Sequence, residues 1–353
     1  MSKKRSWLRG LLIGLLIFLV AGLATGTLFY TWIKAPSLVN TNQDTTYFYI
    51  PTGSQYDQVY LDFKELGLLR YERGFDWVAR QKEYPQLVKP GRYLLTRGMS
   101  NIEIVDLLRS GRQAEVTVVF NTTRHLERIA GIVAANLEAD SLSLIQAFRD
   151  TTLMEKYGFQ PDNWFAFFVP NTYRFLWNTN ALGFMDRMHR EYQVFWNDKR
   201  KDRLKELGMS NIQIVTLASI VQEETFKTDE MPRVAGVYMN RLKRGMKLQA
   251  DPTVIFALQD FTIRRVLHRH LRVDSPYNTY RYSGLPPGPI RIPSIQAVDA
   301  CLNYERHNFI YFCAREDFSG YHAFAETYRA HLANARRYQR ALNNRENPTD
   351  RSE

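Results

Sequence analysis

The feature that most constrains this chain is an uncharged, apolar run from Gly10 to Ile33, preceded by Lys3, Lys4, Arg5 and Arg9. As a helix rising about 1.5 Å per residue, such a run spans about 36 Å, enough to cross a bilayer with some tilt. Phe29, Tyr30 and Trp32 stand at its far end, where aromatic rings favour the boundary between hydrocarbon and water. The basic residues on the near side predict a cytoplasmic N-terminus and translocation of everything after the run. The alternative is a cleaved signal peptide. Against it, the run is long for the apolar part of a signal, and no A-x-A site follows. Gly10 and Gly14, like Gly22 and Gly26, form GxxxG pairs. These suit a helix dimer face, but glycine is common in membrane helices generally.

The remainder of the 353 residues suffices for two or three modules. Short strand patterns alternate with helical ones, which predicts an α+β chain. Residues 1–9 read as a cytoplasmic tail, 10–33 as a transmembrane helix and 34–44 as a polar linker. Residues 45–116 read as a small α/β module. There, Thr46–Ile50 and Gly91–Leu95 have strand composition, and Tyr56–Leu66 and Phe75–Lys82 helical character. Ser100-Asn101-Ile102-Glu103 is a capping box that opens a helix to Ser110, with Gly111 as its stop. Ala114–Phe120 reads as a strand leaving the module. Residues 117–345 read as a larger α+β domain and 346–353 as a flexible tail.

In the larger domain, His125–Leu137 and Ser141–Arg149 are amphipathic helices. Asn163–Phe175 holds Trp164, Phe165, Phe167, Phe168, Tyr173 and Phe175, a set that either lines a saccharide groove or builds core. Pro232–Leu242 reads as a helix broken by Gly245, Lys247–Gln249 as extended, and Asp251-Pro252 as a turn or helix start. Pro276, Pro286, Pro287, Pro289 and Pro293, with Gly284 and Gly288, stiffen the loop from Tyr277 to Pro293 into something fit for a cleft wall. Phe309–Cys313 and Tyr321–Phe324 read as two strands around Gly320, and Tyr328–Leu342 as a closing helix.

The formal charge of +11 suits anionic partners: lipid head groups, cell-wall polymer or nucleic acid. No RNA-recognition aromatic motif or recognition-helix pattern favours the last of these, so no nucleic-acid partner is expected. Arg264, Arg265, His268, Arg269, His270 and Arg272 form a basic run that reads as a solvated face. Its histidine spacing fits no common zinc site, and neither metal nor cofactor is expected. Cys301 and Cys313 are the two cysteines. They either pair in an oxidising compartment or stay buried as thiols.

Chemistry points to the stretch Asn211–Thr225, NIQIVTLASIVQEET. Ser210 is a good N-cap for it. On a helical wheel Leu217, Ile220 and Val221 lie within about 60° of Glu224, whereas Glu223 points about 100° away. Glu224 therefore continues the apolar stripe. Desolvation there raises a carboxyl pKa, which a general acid near neutral pH requires. The alternative is a solvated helix end bearing two ordinary glutamates.

LASIVQEET is followed by VAGVYMNRLKRGMKLQADPTVIFAL (Val234–Leu258) and YNTYRYSGLPPGPI (Tyr277–Ile290). In order and spacing these blocks resemble the MltG/YceG family of membrane-anchored endolytic murein transglycosylases. The family pattern reads roughly ASIVEKE, V-F-x-NRL, L-Q-x-DPTV and YNTY-x-x-x-GLPP-x-PI. Its catalytic glutamate, the second in VEKE, falls on Glu224. This chain departs at Gln222 and Glu223. VPNTYRF (Val169–Phe175) is similar to the family's FPDTY segment, with Asn171 where Asp is usual. Lys89–Gly111 resembles the family's LysM-like part, which is associated with glycan binding; a purely structural spacer is the alternative.

The resemblance implies cleavage of the β-1,4 bond between N-acetylmuramic acid and N-acetylglucosamine within glycan strands, leaving 1,6-anhydro ends. It implies Glu224 as the single acid/base. Gln249, Asp251, Asn278, Thr279 and Tyr280 match family positions and stand as candidates to bind sugar hydroxyls or orient Glu224. Peptidoglycan is the implied partner, with peptidoglycan synthases as candidates beside it and the inner membrane as the location. Two other classes remain open: a two-carboxylate muramidase with Asp251 as partner to Glu224, and a non-catalytic cell-wall binding scaffold.

Overall fold

The computed structural model describes residues 2–39 and 44–346. Residues 40–43 of the expected linker and 347–353 of the expected tail lie outside the described residues. The chain is mixed α+β and divides into two compact units. One holds residues up to Thr117 together with Asn136–Ala139 and Arg174–Asn180; the other holds the remainder.

In the first unit, helix α1 (Ser2–Ile33) runs unbroken through the apolar stretch Gly10–Ile33, which is long and apolar enough to cross a membrane. No helix breaker separates residues 2–9 from that stretch, so the expected tail continues the same helix. Strands β1 (Thr45–Ile50) and β2 (Gly91–Thr96) pair antiparallel, with Thr45 opposite Thr96 and Ile50 opposite Gly91. Burial alternates along them as a one-sided sheet requires, turning Phe48, Ile50, Tyr93 and Leu95 inward. Helices α2 (Tyr56–Glu65) and α3 (Glu72–Gln81) lie between the strands in sequence. Phe63 of α2 stacks on Phe48 at 3.9 Å and meets Phe75 of α3 at 5.0 Å. Helix α4 (Asn101–Ser110) has the predicted capping box at Ser100 and Glu103 and the predicted stop at Gly111, where φ is +74°. Its first residue reaches back to the end of α1: the Asn101 side-chain amide donates to the Trp32 carbonyl at 2.6 Å. Gly74 is required at this junction, because a Cβ there would lie 2.4 Å from the Trp32 carbonyl oxygen.

Strand β3 (Val116–Phe120) carries the chain into the second unit. There follow α5 (Leu126–Ala134), α6 (Ser141–Arg149), α7 (Thr151–Lys156), β4 (Asn171–Phe175, whose last two residues belong to the first unit), α8 (Ala181–Phe195) and α9 (Asp198–Leu207). Helix α5 ends before the predicted Leu137, because Asn136–Ala139 leave for the first unit. Then come α10 (Asn211–Glu224), α11 (Met231–Lys243), α12 (Asp251–Leu258), α13 (Ile295–Leu302), the hairpin of β5 (Tyr311–Ala314) and β6 (His322–Ala325), and α14 (Tyr328–Glu346).

Helix α10 sits in the middle of this unit, packed against α9, α11, α12 and α13. Ser210 caps it in a box with Gln213. Every residue from Ile214 to Gln222 is buried, including Val215, Thr216, Ala218 and Ser219, which lie off the stripe seen on the wheel. Small and hydroxyl-bearing residues make this possible. Ser219 receives the Ile290 amide at 3.0 Å and donates to the Thr216 carbonyl at 2.7 Å, so its hydroxyl is satisfied in the core. The aromatic segment resolves as core: Trp164, Phe167, Phe168, Tyr173 and Phe175 are buried, with Trp164 stacked on Phe167 at 4.4 Å.

Candidate active site

Helix α10 stops at Glu224 because Thr225 turns extended, with φ −144° and ψ 139°. Thr225 is buried, and its hydroxyl donates at 3.2 Å to Glu230, itself 3% exposed. Glu230 also accepts the His322 amide at 2.8 Å, tying the end of α10 to the β5–β6 hairpin. Glu224 is therefore held at a fixed point, half-buried.

One carboxylate oxygen of Glu224 accepts a 2.8 Å hydrogen bond from the Tyr238 hydroxyl, presented by α11. Burial pushes the Glu224 pKa up, from an ordinary 4.5 to about 7. The Tyr238 hydrogen bond opposes this by favouring the charged form, the Asp251 charge adds to it, and Arg241 opposes it. Burial and the neighbouring carboxylate hold the Tyr238 hydroxyl well above its usual range, so it stays protonated and remains a donor. Arg241 is buried with its charge satisfied by two carbonyls, Ile310 at 2.7 Å and Leu248 at 2.6 Å.

Glu223 does point away from Glu224's stripe, but it is not solvated. Arg124 and Arg291 both pair with it, and its side chain is 16% exposed. Gln222 turns to a third side. Its side-chain oxygen accepts from the Ser294 hydroxyl at 2.6 Å and amide at 3.2 Å, at the N-terminus of α13. The three consecutive residues thus have different partners: Gln222 tethers a helix, Glu223 is gripped by two arginines, and Glu224 is held by the Tyr238 hydroxyl. The solvated helix end is excluded.

The cleft has a volume of about 230 Å³. Arg124, Glu223, Glu224 and Asp251 supply its polar wall, and Ile255, Phe256, Phe261 and Ile290 much of the apolar one. Asp251 opens α12, is exposed, and accepts a 2.5 Å hydrogen bond from the half-buried Tyr280. Of the expected residues, Glu224, Asp251 and Tyr280 are brought together here. Gln249 is exposed; expected in an extended stretch, it takes left-handed backbone with φ +50°, and its amide bonds the Thr279 carbonyl at 3.1 Å. Asn278 and Thr279 are buried and face protein rather than the cleft. The Asn278 amide donates to the carbonyls of Leu271 and Val273 at 3.0 and 2.8 Å. The Thr279 hydroxyl receives the Ala250 amide at 3.0 Å and lies 2.8 Å from that of Thr253. Both residues fix the loops that carry Tyr280 and Asp251.

The proline-rich loop is held against the aromatic segment. Gly288 lies so close to the Asp162 carbonyl that a Cβ would come within 1.8 Å of it, and the Tyr277 hydroxyl donates to the same oxygen at 3.0 Å. Phe165 of this segment reaches a cleft residue, meeting Phe256 edge-on at 6.4 Å. Cys301 and Cys313 are free thiols, the first buried in α13. Among the described residues no three His, Cys, Asp or Glu side chains gather as a metal site requires.

Sequence reasoning passed over Tyr238, Arg124, Arg291 and Ser294. For Tyr238 a signal existed: a hydroxyl-bearing residue on the apolar stripe of α11, one turn after Val234 and three residues before Arg241. The others come from distant segments and had none.

The profile of the YceG-like family matches residues 48–337. Over 299 residues the chain is 27% identical to an endolytic murein transglycosylase of Bacillus subtilis, covering 80% of this chain and 81% of that protein. Over 346 residues it is 24% identical to an endolytic murein transglycosylase of Streptococcus pneumoniae, covering 88% of this chain but only 62% of the relative's length. The crystal structure of a YceG-like protein from Listeria monocytogenes is 25% identical, with a TM-score of 0.53, over 82% of this chain and 98% of that one. The match runs from β1 into α14 and takes in every residue of the cleft, and on that ground the chain belongs to the YceG-like family.

Proposed function

We propose that this protein is a membrane-anchored lytic transglycosylase that cuts peptidoglycan strands internally, at the β-1,4 bond between N-acetylmuramic acid and N-acetylglucosamine. The observation that carries this reading is Glu224: a half-buried carboxyl on a cleft, with its pKa raised to about 7. Endolytic murein transglycosylases among its relatives support the substrate class.

In this account Glu224 begins protonated and gives its proton to the leaving glycosidic oxygen as the bond to the muramyl anomeric carbon breaks. The resulting carboxylate then takes the proton from the muramyl 6-hydroxyl, whose oxygen closes on the anomeric carbon. No water is consumed, one strand ends in a 1,6-anhydro ring, and Glu224 regains its proton. A pKa near 7 suits both halves of this exchange. Tyr238 stabilises the carboxylate in between and keeps it aimed. Asp251, Tyr280 and Gln249 act on the sugar hydroxyls, and Asn278 and Thr279 act through the loops they hold.

In this reading the N-terminus is cytoplasmic and the cleft lies outside the cytoplasm, supported by the basic residues before the apolar run. Residues 45–116 serve as a LysM-like glycan-binding module, a reading supported by the β-α-α-β order from β1 to β2, which α4 follows. Synthases of the same polymer are candidate partners.

Asp251 on the same cleft favours one other reading, a hydrolase with Asp251 as the second carboxylate. Incubating the purified protein with glycan strands and analysing the new ends by mass spectrometry separates them. Anhydro ends are expected. Reducing ends would establish the hydrolase, and intact strands a scaffold.

A further inference from the structure

The basic run after α12 takes no part in the chemistry above, yet it adjoins the cleft at one end and is tied to it through Asn278 and Tyr280 at the other. Upstream, α12 begins at Asp251, and Phe261, just beyond that helix, lines the same cleft with the Arg124 guanidinium 4.8 Å from its ring centre. Downstream, the buried Asn278 amide holds the carbonyls of Leu271 and Val273, while its side-chain oxygen receives the Tyr280 amide at 3.0 Å. Tyr280 in turn is bonded to Asp251. Between these two attachments Arg264, Arg265, Arg269 and Arg272 are all exposed. None of the four has an ion-pair partner among the described residues, whereas Arg281 nearby is paired with Asp274 at 3.6 Å. The result is a rim of four unneutralised guanidinium groups on a segment framed by cleft residues.

We infer that this rim binds the carboxylates of the stem peptides carried by the glycan strand, so that the protein selects peptide-bearing over stripped strands. The inference rests on the proposed cleavage of peptidoglycan. A strand lying in the cleft carries a peptide on its muramyl residues, and each peptide projects carboxylates away from the sugar. Arginine suits such a ligand, because its planar fork matches a carboxylate in two parallel hydrogen bonds. Four exposed cations on a segment tied to the cleft also raise the local concentration of an anionic polymer. A membrane surface would attract the same charges, but the segment starts beside Phe261 of the cleft and is tied at its other end, through Asn278 and Tyr280, to Asp251, which favours the strand.

The test compares peptide-bearing strands with strands stripped by an amidase, which leaves only the lactyl carboxylate against the sugar ring. The full chain is used in nanodiscs of neutral or anionic lipid, as wild type and with Arg264, Arg265, Arg269 and Arg272 all changed to Gln. Circular dichroism checks folding of the variant. The KM for stripped strands is expected to exceed that for peptide-bearing strands about 10-fold in wild type, and the ratio to fall towards 1 in the variant and at high salt. A ratio near 1 in wild type overturns the inference. A ratio that persists in the variant overturns it too, and loss of a dependence on anionic lipid would then assign the rim to the membrane. If wild type cleaves neither strand, the cleavage reading itself fails. Co-sedimentation of the same proteins, each also carrying Glu224→Gln, with both kinds of strand then decides the rim separately: a selective loss of binding to peptide-bearing strands supports it, and equal binding overturns it.

Discussion

The Tyr238 hydroxyl lies 2.8 Å from a carboxylate oxygen of Glu224 and donates to it, joining the middle of α11 to the last residue of α10. Two opposed effects meet at that contact. Burial favours the protonated carboxyl and the hydroxyl favours the carboxylate; burial wins, leaving the pKa at about 7. Cleavage that requires a protonated Glu224 therefore falls as pH rises through about 7. Tyr238→Phe removes the effect that lowers the pKa, so the alkaline limb of the pH–rate profile should move upward. The rate on the low-pH side should drop on the order of 10-fold, as expected for losing a hydrogen bond to a charged group that aims the acid. An alkaline limb that stays in place would show that Tyr238 does not act on Glu224.

Stability should register the same raised pKa. Between an ordinary value of 4.5 and about 7, the folded protein holds a proton on Glu224 that the unfolded chain releases. Stability therefore declines as pH rises through that window, and the deficit is constant above it. At about 1.4 kcal/mol per pKa unit, Glu224→Gln should unfold harder than wild type by up to about 3 kcal/mol at pH 8, with little difference near pH 4. Denaturant titrations at the two pH values measure this. A variant less stable at pH 8 would contradict the assignment.

Glu223 behaves differently. Its charge sits between Arg124 and Arg291, whose side chains are 25% and 13% exposed. Glu223→Gln leaves two guanidinium groups facing each other without a counter-charge. A loss of roughly 3 kcal/mol in stability is expected, as for breaking a largely buried pair by removing one partner. Its effect on turnover should be smaller than that of Glu224→Gln, because the proposed mechanism routes the transferred proton through Glu224. Thermal unfolding beside initial rates separates the two effects. Comparable catalytic losses in the two single variants, with both folded, would contradict a single acid/base.

How far the sequence reached is visible in these three adjacent residues. The helical period placed Glu224 on an apolar stripe and Glu223 off it, and local capping signals located α4 and α10. The sequence signals for α4 and α10, the Ser100–Glu103 box and the Ser210 N-cap, are short-range, so they survive without tertiary knowledge; the box of Ser210 with Gln213 was added by the structure. That Glu223 would meet two arginines, 99 and 68 residues away in the chain, was not legible, since no local pattern links such positions. Nor was the inward turn of Asn278 and Thr279: polar residues in a proline-rich loop read as surface until the carbonyls and amides they serve are seen. The aromatic segment admitted two readings because core and sugar platform use the same rings, and only burial distinguishes them.

The anchor can be tested apart from the chemistry. Because α1 contains an unbroken apolar stretch, the protein should stay with membranes through a high-salt wash and be released by detergent. A reporter fused after Glu353 should be active outside the cytoplasm. Release by salt alone would mean that the charge of +11, rather than an inserted helix, holds the protein there.

The central claim is that Glu224 transfers the proton. Its most direct measurement is the release of anhydro-ended fragments from glycan strands by wild type and by Glu224→Gln, with circular dichroism confirming that both are folded. Wild type should give 1,6-anhydro ends, and Glu224→Gln should lose at least about 10²–10⁴-fold in rate, the range typical of removing a general acid/base. A folded Glu224→Gln protein that releases anhydro ends at the wild-type rate would contradict the account.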